Sequence, residues 1–200
     1  EIAESGDARA AAVETEADRL NSYVTNLLDL SRLNAGALPV SLELVPAEDV
    51  IGALLEQVAT FAAGREVRAT VSTDGSMPAG RLDFVLTLRA LANVVDNAMR
   101  YTPSSTPIDV EARREGSWLL IEVADRGPGI PDGDRERVFE PFQRGAGARD
   151  AAGAGLGLPI ARRLVEAQGG TLVFASREGG GTVFTIALPS ADVGPLVQES

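Results

Sequence analysis

The sequence predicts an α/β domain preceded by one long helix. Two features support this prediction. Apolar runs with a period of two alternate along the chain with runs at the helical spacing of three and four residues, and turns rich in Gly and Pro separate them. A chain of 200 residues can form about one such domain with a substantial core.

The composition excludes several classes of function. With 18 basic and 29 acidic residues the formal net charge is −11, which argues against nucleic acid and anionic lipid as partners, since both require clustered Lys and Arg. Because the chain has neither Cys nor His, it can hold no disulfide, no imidazole metal ligand and no phosphohistidine. No apolar run approaches the roughly 20 residues of a membrane span. We therefore expect a soluble piece, and the absence of Cys fits a reducing, cytoplasmic compartment. Glu1 in place of Met indicates an internal fragment of a longer protein.

The N-terminal part, residues 1–38, is predicted to be mostly one helix over residues 8–34. Its apolar residues recur every three or four positions, which is typical of a coiled-coil seam. These residues are Val13, Ala17, Leu20, Val24 and Leu27. A seam of this length needs a partner, which we expect to be another helix of a bundle. The alternative is that it packs on its own domain.

Two strands, each followed by a helix, are predicted in the next part of the chain. They are a strand over residues 40–44, a helix over 46–63, a strand over 67–71 and a helix over 84–101. Pro46 is favourable in the first turn of a helix, and Asp83 is expected to cap the second helix. Tyr101 ends that helix ahead of Pro103.

The C-terminal half is predicted to consist of two hairpins with a long loop between them. Its elements are strands over residues 108–112 and 118–123, a helix over 156–168, and strands over 171–176 and 182–188. The loop over residues 125–157 is rich in Gly, Ala, Pro and Asp, with a short helical patch at 135–139, and is the candidate for a ligand lid. Residues 191–200 are expected to be a disordered tail.

A pair of asparagines forms the first chemical motif. Asn93 and Asn97 lie one helical turn apart, and Arg100 and Tyr101 follow on the next turn. Amide oxygens suit magnesium, an Arg can pair with phosphate, and a Tyr ring can lie against a base. Taken alone, such a pair is more often part of an ordinary solvated helix face.

The second motif is an acidic residue and two glycines directly after a buried strand. Asp125 can accept a hydrogen bond from an exocyclic amine such as that of adenine. Gly127 and Gly129 allow the backbone to approach a ligand closely. As an isolated pattern this spacing is more often a turn.

The third motif is a run of alternate glycines, Gly153, Gly155 and Gly157, that leads directly into a helix. Free backbone N–H groups at a helix start form an anion site suited to a triphosphate. A loop, rather than a strand, precedes the run, and no Gly-Lys-Ser/Thr is present. The motif therefore fits neither a dinucleotide fold nor a P-loop.

The order of these motifs resembles that of the histidine kinase and GHKL ATPase superfamily. The matching segments are the N box at residues 91–102, the first G box at 123–130, the F box at 138–142 and the second G box at 153–158. The resemblance covers residues 40–190. It implies that residues 39–190 form a two-layer α/β sandwich, the Bergerat fold, with a mixed sheet and helices on one face. Residues 1–38 resemble the second helix of a dimerisation and phosphoacceptor hairpin.

The resemblance also implies ATP and Mg²⁺ as cofactors and assigns roles to individual residues. Asn97 would ligate magnesium, Asn93 and Arg100 would lie near the phosphates, and these three would be the catalytic residues. Tyr101 would lie beside adenine and Asp125 would bind its amine. The remaining nucleotide-binding residues would be Gly127, Gly129, Ile130, Phe139, Phe142, Gly153, Gly155, Leu156, Gly157 and Leu158. The two Phe residues would pack the base of the lid, with simple core packing as an equal alternative.

Asn93 separates two branches of the superfamily, because ATP-hydrolysing members carry a Glu there that activates water. An amide cannot act as a general base, so the resemblance implies a sensor histidine kinase. Such an enzyme transfers the γ-phosphate of ATP to a histidine and then to the aspartate of a response regulator receiver domain. The full-length protein would be a membrane-anchored homodimer, and the present chain should not phosphorylate itself. The alternatives are an anti-sigma-type serine kinase and a non-catalytic nucleotide-binding regulatory or scaffold module.

Overall fold

The computed structural model describes residues 38–60, 62, 64–73, 75–143 and 155–191. By packing, the chain divides into two compact units, Glu1–Leu38 and Pro39–Ser200, and the described structure lies almost wholly in the second. The helix predicted over residues 8–34, Gly153 of the second G box and residues 192–200 of the predicted tail lie outside the described residues.

The described chain alternates strands and helices as the sequence predicts, with one additional strand. In chain order the elements are β1 (Glu43–Pro46), α1 (Ala47–Ala59), β2 (Val67–Ser72), β3 (Ala79–Leu82), α2 (Phe84–Tyr101), β4 (Ile108–Glu115), β5 (Trp118–Ala124), α3 (Gly157–Glu166), β6 (Thr171–Ser176) and β7 (Thr182–Pro189). None of the helices in the described ranges is long and apolar enough to cross a bilayer.

The main sheet has five strands in the order β2-β4-β5-β7-β6. It is mixed, as predicted, because β2 runs parallel to β4 whereas the other neighbours are antiparallel. Val110, Val123 and Phe184 face one another across β4, β5 and β7, and all three are buried. Since side chains alternate along a strand, one face of the sheet is apolar. The helices contact the sheet strands, which gives the two-layer α/β arrangement.

A second sheet of two strands is the part of the fold that the sequence did not predict. Strand β3 pairs antiparallel with β1, and Gly80 also bridges to Ser190. The segment Ala79–Leu82 is only four residues long and contains a glycine, so it shows no strand periodicity. Its conformation is set by distant partners. Strand β1 begins at Glu43, a few residues later than the alternation from Val40 indicates.

Asp83 connects three parts of the domain at the start of α2. As predicted it caps the helix: its Oδ1 accepts a hydrogen bond from Leu86 N at 3.0 Å, and its Oδ2 accepts one from Ser41 N at 2.9 Å. Its own backbone N–H donates to Gln168 Oε1 at 2.7 Å, and Thr87 Oγ1 lies 3.0 Å from the same oxygen. These bonds hold α2, which carries the Asn pair, against the end of α3.

Replacing Asp83 with Ala is expected to lower the free energy of unfolding by about 2–3 kcal/mol, because both a helix cap and a second backbone hydrogen bond are lost. Urea denaturation measures this loss. Asp132→Ala is the control, since the Asp132 side chain is 99% exposed, and it should change the value by less than about 0.5 kcal/mol. Equal unfolding midpoints for the two variants would show that the cap contributes nothing.

The long loop after β5 differs from its prediction in one respect. The helical patch expected at residues 135–139 is a series of turns, and the only helical segment within the described part of this loop is a 3₁₀ turn at Asp132–Asp134. Bonds from Arg137 N to Asp134 O and from Glu140 N to Arg137 O continue the tight i to i+3 spacing. Such spacing does not propagate into a long helix.

Candidate functional site

A cleft lies between the C-terminal half of α2, the end of β5 and the first turn of α3. Its volume is about 690 Å³, which includes the solvent space at its open side. Six of the predicted site residues line it: Asn97, Tyr101, Asp125, Gly129, Ile130 and Leu158. Residues from the N box, the first G box and the second G box, up to 61 positions apart in sequence, thus meet in one cavity.

Asp125 is the buried ionisable residue of this cleft, with 4% of its surface exposed. Its Oδ1 accepts hydrogen bonds from Gly127 N at 2.7 Å and from Thr182 N at 3.3 Å. Burial raises the pKa of Asp125, while those two bonds and the charge of Arg177 act to lower it. Because both backbone bonds go to Oδ1, the second carboxylate oxygen is left for a donor on a ligand. The site is thus suited to recognise an amine.

Glycine is required where two backbone segments meet at Asp125. Gly181 has φ +104°, and a Cβ there would overlap the carbonyl oxygen of Asp125. At Gly127 a Cβ would lie 2.8 Å from the carbonyl oxygen of Tyr101. At Gly181 in the β6–β7 turn and at Gly127 in the loop after β5, the backbone can therefore pack on its neighbours only without a side chain.

Gly181→Ala should destabilise the domain more than Gly180→Ala, although both residues have φ above +100°. Gly180 faces open space, so its substitution costs only the backbone strain of about 1–2 kcal/mol. The methyl group at position 181 must also displace Asp125, which adds about 1–3 kcal/mol of overpacking. Thermal unfolding of both variants measures the difference. Coinciding transitions would show that the two backbones are not in tight contact.

The polar residues of α2 are divided between the cleft and its edges. Asn97 and Tyr101 line the cleft. Asn93 faces the start of α3, since a Cβ on Gly157 would lie 3.5 Å from its Oδ1. Arg100 does not line the cleft and pairs with Asp96, with Nε 2.7 Å from Oδ2. A phosphate contact by Arg100 therefore requires this half-exposed ion pair to open.

The two Phe residues of the F box have different environments. The Phe139 ring lies 5.9 Å from the Phe174 ring and 5.0 Å from the Arg162 guanidinium carbon, which fixes the loop to β6 and α3. Phe142 is 65% exposed and has φ +65°. A ring that is mostly exposed does not pack the base of the loop as expected.

The second G box borders the cleft. Leu158 lines it, whereas Gly155, Leu156 and Gly157 lie beside it. Phe142 N donates to Gly155 O at 3.0 Å, and a Cβ on Gly155 would meet Gln143 O at 2.5 Å. Glycine at this position lets the start of α3 pack directly on the end of the F box.

Eight further residues line the cleft that were not named as site residues from the sequence, although two of them, Pro128 and Val138, lie within the first G box and the F box. The eight are Pro128, Pro131, Asp134, Arg137, Val138, Gln143, Thr182 and Phe184. Thr182 and Phe184 belong to β7, far from the motifs in sequence, and reach the cleft because β7 pairs with β5. A signal for Thr182 was available. It directly follows three glycines, all of which have positive φ.

Comparison with known proteins gives a family match over the part of the chain that contains these motifs. The model of the "Histidine kinase-, DNA gyrase B-, and HSP90-like ATPase" family matches residues 82–192. Among curated relatives, the sensor protein KdpD of Mycobacterium tuberculosis is 37% identical over 92% of this chain and 22% of its own length. The sensor-like histidine kinase SenX3 of the same species is 37% identical over 90% of this chain and 44% of its own. The chain thus spans less than half the length of these relatives.

Solved structures agree with these matches. The mycobacterial sensor histidine kinase MprB is 32% identical with a TM-score of 0.67, over 76% of this chain and 100% of the solved chain. Full-length ShkA, solved in complex with AMPPNP, is 30% identical with a TM-score of 0.74, over 92% of this chain and 38% of its own. The chain therefore belongs to the histidine kinase-, DNA gyrase B- and HSP90-like ATPase family, and within it corresponds to the ATP-binding domain of sensor histidine kinases.

Proposed function

We propose that the cleft binds Mg-ATP and that the full-length protein transfers the γ-phosphate to a histidine outside this sequence. From there the phosphate would pass to an aspartate of a response regulator receiver domain. One observation supports this proposal most strongly: a buried carboxylate, Asp125, and a carboxamide, Asn97, line the same cavity. The solved relative ShkA holds AMPPNP, an ATP analogue.

The adenine end of the ligand is assigned to Asp125. The free carboxylate oxygen would accept a hydrogen bond from the exocyclic amine, and burial makes this bond stronger than in water. Tyr101 would lie beside the base, and Ile130 and Leu158 supply apolar walls of the same cleft. Gly129 would allow the loop to approach the ring.

The phosphate end is assigned to Asn97 and the start of α3. In the described ranges, no group of three or more Asp, Glu, His or Cys side chains is placed to hold a metal ion. An amide-held Mg²⁺ that completes its octahedron with phosphate oxygens and water fits this donor set, and it would neutralise charge on the triphosphate. Asn93, Arg100 after release from Asp96, and the backbone of the second G box would contact the phosphates.

The residue at position 93 favours phosphoryl transfer over hydrolysis. Its amide lies against the start of α3 and cannot take a proton from an attacking water. Catalysis by this domain would then consist of positioning and charge neutralisation, with the nucleophile supplied by another part of the protein. A non-catalytic nucleotide-binding module is the alternative outcome of the test below.

We propose the following organisation for the complete enzyme. Residues 1–38 are the second helix of a dimerisation hairpin, residues 39–190 are the catalytic domain and residues 191–200 are a tail. The first residue of the tail, Ala191, is hydrogen-bonded to β3, because its N–H donates to Ala79 O at 2.9 Å. The complete protein would be a membrane-anchored homodimer with this domain in the cytoplasm.

Phosphotransfer in trans tests the proposal. The chain is mixed with ATP labelled at the γ-phosphate, Mg²⁺ and a separate polypeptide that carries the complete helical hairpin with its acceptor histidine. We expect acid-labile label on the added polypeptide, and none on the chain itself, because it contains no His. Saturable ATP binding without any transfer would support a non-catalytic module and contradict the kinase proposal.

A further inference from the structure

The guanidinium group of Arg177 connects Asp125 to strand β4. Arg177 follows β6, and 18% of its side chain is exposed. Its Nη2 lies 2.5 Å from Asp109 Oδ2, and its Nη1 donates to the carbonyl oxygen of Asp125 at 3.2 Å. This side chain is therefore bonded both to the first residue after β5 and to a carboxylate on β4.

Arg177 and Asp109 come from parts of the sheet that are not adjacent. Asp109 is opposite Ala124, the last residue of β5, whereas Arg177 comes from the far side of β7 in the order β4-β5-β7-β6. Arg177 thus connects the β6–β7 turn to β4, a strand that is not adjacent to β6 in the sheet. Its backbone also closes the β6–β7 turn, because Arg177 N donates to Gly181 O at 3.1 Å.

We propose that Arg177 is a positioning residue that holds Asp125 for recognition of the adenine amine and so contributes to the choice of base. This inference rests on the proposed function. The bond from Arg177 fixes the carbonyl oxygen of Asp125, while the backbone N–H groups of Gly127 and Thr182 fix its Oδ1. Main-chain and side-chain bonds together then orient the free carboxylate oxygen, which preorganises the site for one donor.

The charge of Arg177 acts in the same direction as its hydrogen bond. Burial disfavours ionised Asp125, and the positive charge of Arg177 favours it. Asp109 orients this guanidinium by an ion pair. Arg126 directly follows Asp125 in sequence, but its side chain is exposed, so water screens its charge more strongly than that of Arg177.

A purely structural bond between β6 and β4 would have a different consequence. Its loss would loosen the whole edge of the sheet and weaken every nucleotide by the same factor. A positioning role predicts a loss only for ligands that carry the amine. Two ligands that differ in that single group therefore separate the two roles.

The test is calorimetric titration at neutral pH with Mg²⁺ and either ATP or the triphosphate of purine riboside, which is ATP without the exocyclic amine. We expect Arg177→Gln to weaken ATP binding about tenfold, as is usual for coupled contacts, and purine riboside triphosphate by less than about twofold. Arg113→Gln is the control. Arg113 forms a similar ion pair with Glu122, Nη1 to Oε2 2.8 Å, on the same sheet, and its substitution should leave both affinities unchanged.

Equal losses for both ligands would overturn the positioning role and leave Arg177 as a structural bond. If the unsubstituted protein itself binds both ligands equally, Asp125 does not recognise the amine, and the adenine assignment of the proposed function fails together with this inference. Should Arg177→Gln not fold, Asp109→Asn retains the guanidinium but removes its ion-pair partner. We expect that variant to weaken ATP alone, about threefold, and equal affinities for the variant and the parent would contradict the proposal.

Discussion

Asp125→Asn is expected to weaken ATP binding by about 10- to 100-fold, the effect of losing a hydrogen bond to a charged group. Gly127 N and Thr182 N both donate to Oδ1, so the amide oxygen must occupy that position. The amide NH₂ then takes the place of Oδ2 and faces the adenine amine, donor against donor. Calorimetric titration with Mg-ATP measures the change.

Asp132→Asn is the matched control for this substitution, because the Asp132 side chain is 99% exposed and does not line the cleft. It should bind ATP as the unsubstituted protein does. Unchanged ATP affinity in Asp125→Asn would contradict the assignment of this carboxylate to the adenine amine.

The same variant should be more stable than the parent when no nucleotide is bound. Burial raises the pKa of Asp125 above 3.8. An acid with a raised pKa in the folded state contributes stability that is present below the unfolded pKa and is lost as pH rises through the folded pKa. At pH 7 the ionised carboxylate therefore destabilises the free domain, and the neutral amide removes this cost. The gain in thermal midpoint should shrink as the pH is lowered toward 3.8.

Asn97→Ala should abolish the dependence of ATP affinity on magnesium. In the parent, Mg²⁺ is expected to tighten binding, because the amide oxygen of Asn97 would be its protein ligand and would join the nucleotide to α2 through the metal. The variant should lose about 10- to 100-fold in affinity with Mg²⁺ present and almost nothing with the metal chelated.

Gln57→Ala controls for the general effect of removing a carboxamide from a helix, because Gln57 lies exposed on α1. It should show the full magnesium dependence. If Asn97→Ala retained that dependence, the metal would have to be held elsewhere.

Local sequence patterns predicted the parts of the fold that depend on local physics. The alternation in β4 and β5 and the cap at Asp83 could be recognised because side-chain periodicity and capping are determined within a few residues. Strand β3 could not be recognised, because Gly80 interrupts its periodicity and its pairing with β1 and Ser190 is long-range. The turns at residues 135–139 were missed because helix propensity alone does not distinguish a single turn from a helix.

The same division applies to the site. Asn97 and Asp125 could be predicted because each belongs to a motif with its own spacing, and the structure places both on one cleft. Phe184 and Arg177 could not, because their positions follow from the registers of β7 with β5 and β6. Arg100 illustrates a further limit, since its spacing indicates a phosphate contact whereas its pairing with Asp96 depends on side-chain geometry.

A crystal structure of the chain with Mg²⁺ and a non-hydrolysable ATP analogue would show whether Asp125 and Asn97 hold the two ends of the nucleotide. We expect the exocyclic amine of adenine within hydrogen-bonding distance of Asp125, about 2.7–3.2 Å, and the metal bound to the amide oxygen of Asn97, about 2.0–2.1 Å away. Nucleotide bound elsewhere, or in this cleft with neither side chain in contact, would contradict this expectation.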